Sequence, residues 1–181
     1  MENVKVSTSK WAMQYGLYLG AVHIVFLLTL YFSDMMFESK WPDYIGYVYI
    51  IGFTWWGIAK YKSDVNGGYI TYGQGLGLGV MISLFAAIFS AATIYIIMKL
   101  DSSLSEKMLN ILQENMMEAN IPDDMMESME KIYEMTVRPG VVALSDFLGK
   151  VFTGTVFSLI IAAIVKKNPD STFYEAVKNV E

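Results

Sequence analysis

The chain has 181 residues, 54% of them hydrophobic and 17% charged, against about 25% charge in ordinary soluble domains. Its mean hydropathy is +0.38, and that balance excludes a conventional water-facing surface. A net charge of -5 without a basic cluster excludes nucleic acid as a partner. The lack of cysteine excludes disulfides, thiolate metal sites and a Cys nucleophile.

A membrane-spanning helix needs about 20 mainly apolar residues at about 1.5 Å each. The first candidate, 12–32, follows Lys10 and Trp11 and precedes Asp34 and Glu38. The stretch before it is polar, and no small-residue cleavage site follows the apolar run. It therefore reads as a retained span and not a cleaved leader. The second, 44–59, reaches only about 24 Å and must recruit flanking Trp and Tyr residues. The third, 75–98, lies in a run with no charge between Asp64 and Lys99. The fourth, 141–165, carries Asp146 and Lys150 in its first half. Trp11, Trp41, Tyr44, Trp55, Trp56 and Tyr61 gather near the ends, the belt expected at headgroup level. Lys60, Lys62, Lys166 and Lys167 flank spans directly and place both termini in the cytoplasm.

Between the third and fourth spans, 103–137 predicts an acidic helical hairpin. Ser103-Leu104-Ser105-Glu106 fits a capping box, and Leu104, Met108, Leu112 and Met116 form one apolar stripe. Pro122 with Asp123 and Asp124 suits the start of a second helix, whose apolar side is Met125, Met126, Met129 and Tyr133. Arg138-Pro139-Gly140 breaks it. Thr172-Phe173-Tyr174-Glu175 starts a short helix or belongs to a disordered tail. The fold expected is thus all-α, a bundle of four transmembrane helices with an acidic hairpin. No internal repeat links the halves, which counts against an inverted-repeat transporter.

The segment from Asn66 to Gly79 is rich in glycine but lacks the ending of a P-loop and the βαβ setting of a dinucleotide site. Asn66-Gly67-Gly68 reads as a tight turn. Gly73 with Gly77, Gly75 with Gly79, and Gly16 with Gly20 are small-xxx-small pairs that admit a neighbouring backbone. The competing reading is a ligand or ion site at an opened helix.

His23 sits near the middle of the first span, where an ionisable residue is costly and points to function by default. A neutral imidazole hydrogen-bonded to a neighbouring helix explains it equally, and no carboxylate is expected at its depth. Asp146 and Lys150, one turn apart, mark a charged vestibule or a self-neutralising pair near the outer interface, with the lysine reaching to water. Met126 and Met129 have a spacing that a soft metal could use, although helix packing explains them without one. Catalytic signatures are absent, so no catalytic, cofactor or metal residue is assigned.

The stretch Asn66-Gly67-Gly68-Tyr69-Ile70-Thr71-Tyr72-Gly73-Gln74 resembles a bacterial family of small four-helix membrane proteins, domain of unknown function 4199. The layout agrees through to the closing Lys166-Lys167. The resemblance implies a bacterial inner-membrane protein and brings no reaction, cofactor or catalytic residue. The function expected is a non-enzymatic membrane component whose partners are the lipid bilayer and a second copy or another membrane protein. The alternative is a small oligomeric transporter or channel using His23 and the glycine-rich third span.

Overall fold

The computed structural model describes residues 7–37, 41–119 and 122–168. Among them the chain forms six helices: α1 (Thr8–Phe32), α2 (Trp41–Asp64), α3 (Tyr72–Leu100), α4 (Ser103–Glu118), α5 (Asp123–Thr136) and α6 (Pro139–Val165). The segment around Thr172, and the side chains of Asp123, Asp124 and Met126, lie outside the described residues.

Helices α1, α3 and α6 are long and apolar enough to cross a bilayer, with mean hydropathies of 1.7, 2.3 and 2.0. Three such helices are consistent with a multi-pass membrane protein. The expected second span is where the outcome differs. Helix α2 extends beyond 44–59 at both ends, to 24 residues, or about 36 Å. Its tyrosines, tryptophans and terminal charges keep it out of the set apolar enough to cross, so apolarity establishes three spans and not four.

Side-chain registry fixes the directions. Tyr61 meets Thr8 at 2.9 Å, Trp11 donates to the Gly57 carbonyl at 3.0 Å, and Tyr49 meets His23, so α2 runs antiparallel to α1. Gly16 lies against Ile82 and Phe85, and Gly20 against Phe89, so α1 and α3 are parallel. Gly75 faces Ala162, Gly79 faces Ser158 and Gly154 faces Ser83, so α6 descends along α3. The start of α1 and the end of α6 share one end of the molecule with the α2–α3 turn. There Gly67 and Gly68 adopt positive φ, Lys62 donates to the Val165 carbonyl at 2.8 Å, and Ile70 pairs through its backbone with Lys167. Leu19, Ile58, Leu78, Ile82 and Ile161 fill this half as one apolar core.

Helix α3 begins at Tyr72, three residues before the expected Gly75. Thr71 accepts from the Gln74 N–H at 3.3 Å while Gln74 accepts from the Thr71 N–H at 3.1 Å, a capping box that fixes the start. The box expected at Ser103–Glu106 is replaced. Asp101 accepts from the Ser103 backbone at 3.0 Å and its hydroxyl at 2.6 Å, and no Ser side chain caps α4. Tyr31 donates to the other Asp101 oxygen at 3.0 Å, tying α1 to this junction. Leu104 and Met116 are buried on α4 and Met108 and Leu112 half-buried, with Leu104 packed on Ile97 and Met98. Helix α5 touches α4 and α6; its Met125 is exposed and its Met129 and Tyr133 half-buried.

The small-residue seams divide by face. A methyl on Gly16 would stand 2.5 Å from Phe85 Cβ, one on Gly20 2.8 Å from the Phe89 ring, and one on Gly79 2.8 Å from Ser158 Cβ. Gly75 is tight against Ala162 at 3.2 Å. At Gly73 and Gly77 a methyl would meet nothing within 4 Å, because those positions point away from α6. Gly57 and Gly154 make close approaches that the spacing arguments did not include. Accordingly, Gly79→Ala should cost about 1–3 kcal/mol through overpacking. Gly77→Ala should instead be neutral or stabilising by up to about 1 kcal/mol through helix propensity. Unfolding titrations in detergent compare the two, and equal effects would refute the seam.

The Asp101 carboxyl is held below the usual carboxylate range by the Ser103 hydroxyl first and Tyr31 second. A depressed folded value gives stability that is present above the unfolded pKa and lost as pH falls through the folded one. Protection factors of the amides at the start of α4, taken relative to the intrinsic exchange rate at each pH, should therefore fall on acidification of the native protein. In Asp101→Asn exchange should be faster at neutral pH, with that acid dependence gone. An unchanged acid dependence in the variant would count against the cap.

Candidate functional site

Beyond the apolar core, the long helices bring polar side chains together at one level. His23 on α1 lies nine residues before Phe32, Ser90 on α3 ten before Leu100, and Lys150 on α6 eleven after Pro139. At about 1.5 Å per residue each is roughly 13–17 Å from its helix end, close to the middle of a bilayer core about 30 Å thick. Asp146 is one turn nearer the end. A carboxylate therefore does reach the neighbourhood of His23, against expectation. Helix α6 begins at Pro139, so Asp146 is seven residues, or about 10 Å, from its start.

His23 is 7% exposed. Its Nδ1 meets the Tyr49 hydroxyl of α2, and Phe26 stands edge-on to the Tyr49 ring at 5.5 Å between centroids. Lys150 donates to Asp146 Oδ1, and the fully buried Ser90 donates to Oδ2. The Asp146–Lys150 pair is thus turned inward, its side chains 13% and 23% exposed. A carboxylate removed from water needs both charge compensation and satisfied lone pairs, and Lys150 and Ser90 supply them.

His23, Tyr49, Asp146 and Lys150 line one cleft of about 710 Å³. Its walls are apolar, with Phe26 and Ile94 among them, and Ile111 and Asn115 of α4 stand at its mouth. The cleft is within the range of small-molecule sites, about 300–1,000 Å³. The arrangement is an apolar vestibule ending in fixed polar groups. Both Asp146 oxygens already accept hydrogen bonds, whereas an ammonium carries three donors and Lys150 gives one of them to Asp146. The unused capacity at the floor is for donation.

Tyr49 and Ser90 were not among the residues singled out from sequence, since a tyrosine and a serine in an apolar run carry no motif. A polar residue at mid-depth on every long helix is the signal that finds them. The six glycines of the small-xxx-small pairs lie outside this cleft, and α3 runs unbroken through Gly73–Gly79, so no opened helix is present there. Among the described residues no three His, Asp or Glu side chains come together.

The family model described as a protein of unknown function, DUF4199, matches residues 14–167, the stretch that holds α1 through α6 almost entirely. No curated protein and no solved structure matches the chain.

Breaking the buried pair should be worse than removing it. Lys150→Met leaves the Asp146 carboxylate uncompensated and should cost about 3–5 kcal/mol, reduced where cleft water screens it. The double variant Asp146→Asn with Lys150→Met should recover much of that loss. A double-mutant cycle by unfolding titration reads the coupling, and additive losses would show that the two side chains act independently.

Proposed function

The chain belongs to the DUF4199 family of proteins of unknown function, and on that premise we propose that it is a four-pass membrane protein. Its role is to bind a small molecule in the cleft, without catalysing a reaction. The carrying observation is the convergence of His23, Tyr49, Asp146 and Lys150 on one vestibule at mid-membrane depth. Polar groups are costly there unless they serve a purpose. The donor capacity left on Lys150 suits a carbonyl, carboxylate or phosphate oxygen, and the apolar walls suit a hydrocarbon or aromatic portion.

Helix direction supports the reading of four passes. Helices α1 and α3 are parallel, and α2 returns the chain between them alongside α1. The lysines Lys60, Lys62, Lys166 and Lys167 then lie at the cytoplasmic end of a bacterial inner-membrane protein. The cleft opens on the other side, beneath the acidic α4–α5 hairpin. Below it, Leu19, Ile58, Leu78 and Ile82 close the way to the cytoplasm, which favours binding from one face over an open channel.

Association is a second reading, carried by α5, where Met125, Ile132 and Met135 are 54%, 60% and 57% exposed outside the membrane-crossing helices. A copy of this chain or another membrane protein would cover them, and cross-linking from Ile132→Cys in native membranes reads that contact.

Absence of cysteine makes single-Cys labelling clean. With a membrane-impermeant thiol reagent outside intact cells, Asn115→Cys and the cleft position Thr153→Cys should react. Phe152→Cys, 72% exposed on the lipid face, and Ser63→Cys, at the opposite end, should not. An unreactive Thr153→Cys beside a reactive Asn115→Cys would sink the cleft reading. Reaction at Ser63→Cys alone would invert the topology.

A further inference from the structure

Adjoining the cleft floor, and sharing His23, Tyr49, Ile50 and Lys150 with it, is a small void of about 20 Å³ whose other walls include Leu19, Ser83 and Ala87. Two of its polar atoms have no hydrogen-bond partner: His23 Nε2 and Ser83 Oγ. Both residues are more than nine-tenths buried, at 7% and 4% exposed. Buried polar atoms are almost always paired, with protein or with an internal water. A water fits where the free volume exceeds about 10–15 Å³ and two to four polar partners surround it. This void meets both conditions.

We infer that one internal water molecule is bound here, between His23 Nε2 and Ser83 Oγ. The chemistry of the neighbours sets its orientation. In this assignment the Tyr49 hydroxyl donates to His23 Nδ1, so the imidazole proton is on the unpartnered Nε2. The water accepts that N–H, accepts a second from the Lys150 ammonium, and donates to Ser83 Oγ. The two polar clusters of the cleft floor then become one chain: Tyr49, His23, water, Lys150, Asp146 and Ser90. It links α1, α2, α3 and α6 through hydrogen bonds alone. The inference rests on the two unpartnered buried atoms and not on what the cleft binds.

The chain has a single histidine, so the imidazole gives one unambiguous signal. The full-length protein, labelled with nitrogen-15 and reconstituted in lipid bilayers, is measured by water-edited solid-state NMR. Rapid polarisation transfer from water to a protonated His23 Nε2 is the expected result. Ser83→Val removes the acceptor and fills the space, while Ala87→Val fills it from another wall. Either variant should abolish the transfer to His23 while the Nδ1 signature of the Tyr49 contact stays. Absence of transfer in the native chain overturns the inference. So does transfer that persists in a folded variant, since the water then reaches His23 from the cleft. If Ser83→Val does not fold, Ala87→Val decides. An unreactive Thr153→Cys with transfer intact would remove the cleft reading and leave the water in place.

Discussion

The close approach of α3 and α6 governs the rest of the molecule. Lipid offers no hydrophobic drive for two helices to meet, so contact must come from packing and from hydrogen bonds. The seam provides the first through Gly75 on Ala162, Gly79 on Ser158 and Ser83 on Gly154, each step of four on α3 answered by a step of four on α6. It provides the second one level further along, where Ser90 donates to Asp146. Parallel α1 is seated on another face of α3 through Gly16 and Gly20. Helix α3 is thus the post on which the other long helices are registered. The polar floor is at one level because that register puts it there.

The two halves of the protein divide the physical work. Near the start of α1 and the end of α6, Ile58, Leu78, Ile82 and Ile161 interlock with small residues to give a solid interior. In the other half, aromatic and polar side chains leave a cleft, and its walls include α4, which is too polar to cross a membrane. The charge there stays affordable because every strong acceptor on Asp146 is used. A neutral histidine adds far less cost than an ion would.

Much of this was legible in the sequence, and the reasons for the rest are specific. Three apolar helices emerged from run length alone, and α4 and α5 from apolar spacing and helix-start signals. The family resemblance at Asn66–Gln74 is upheld by the match over 14–167. The same segment holds Thr71-x-x-Gln74, a capping signature as readable as the one assigned to Ser103-x-x-Glu106. The structure forms the first and not the second, because Asp101 reaches the α4 N-terminus with a better acceptor. Spacing could not say which face of α3 meets α6, so Gly73 and Gly77 were grouped with Gly75 and Gly79. A carboxylate near His23 was not foreseen, because run length orders residues along one helix and says nothing of which helix lies beside it. Tyr49 and Ser90 acquire meaning only when four helices are laid side by side.

The placement of Lys150 four residues after Asp146 also bears on how such a chain is made. A helix entering the bilayer late in synthesis arrives before its tertiary contacts exist, and a lone carboxylate or ammonium would oppose its passage. Here the two charges sit on the same face of α6 and neutralise each other within one turn, so the segment carries its own counterion during insertion. Ser90 already waits on α3 to complete the coordination. The pairing of Ile70 with Lys167 and the Lys62 bond to the Val165 carbonyl can close only after α6 has crossed. The last helix therefore enters as an electrically quiet rod and is latched at its far end once seated.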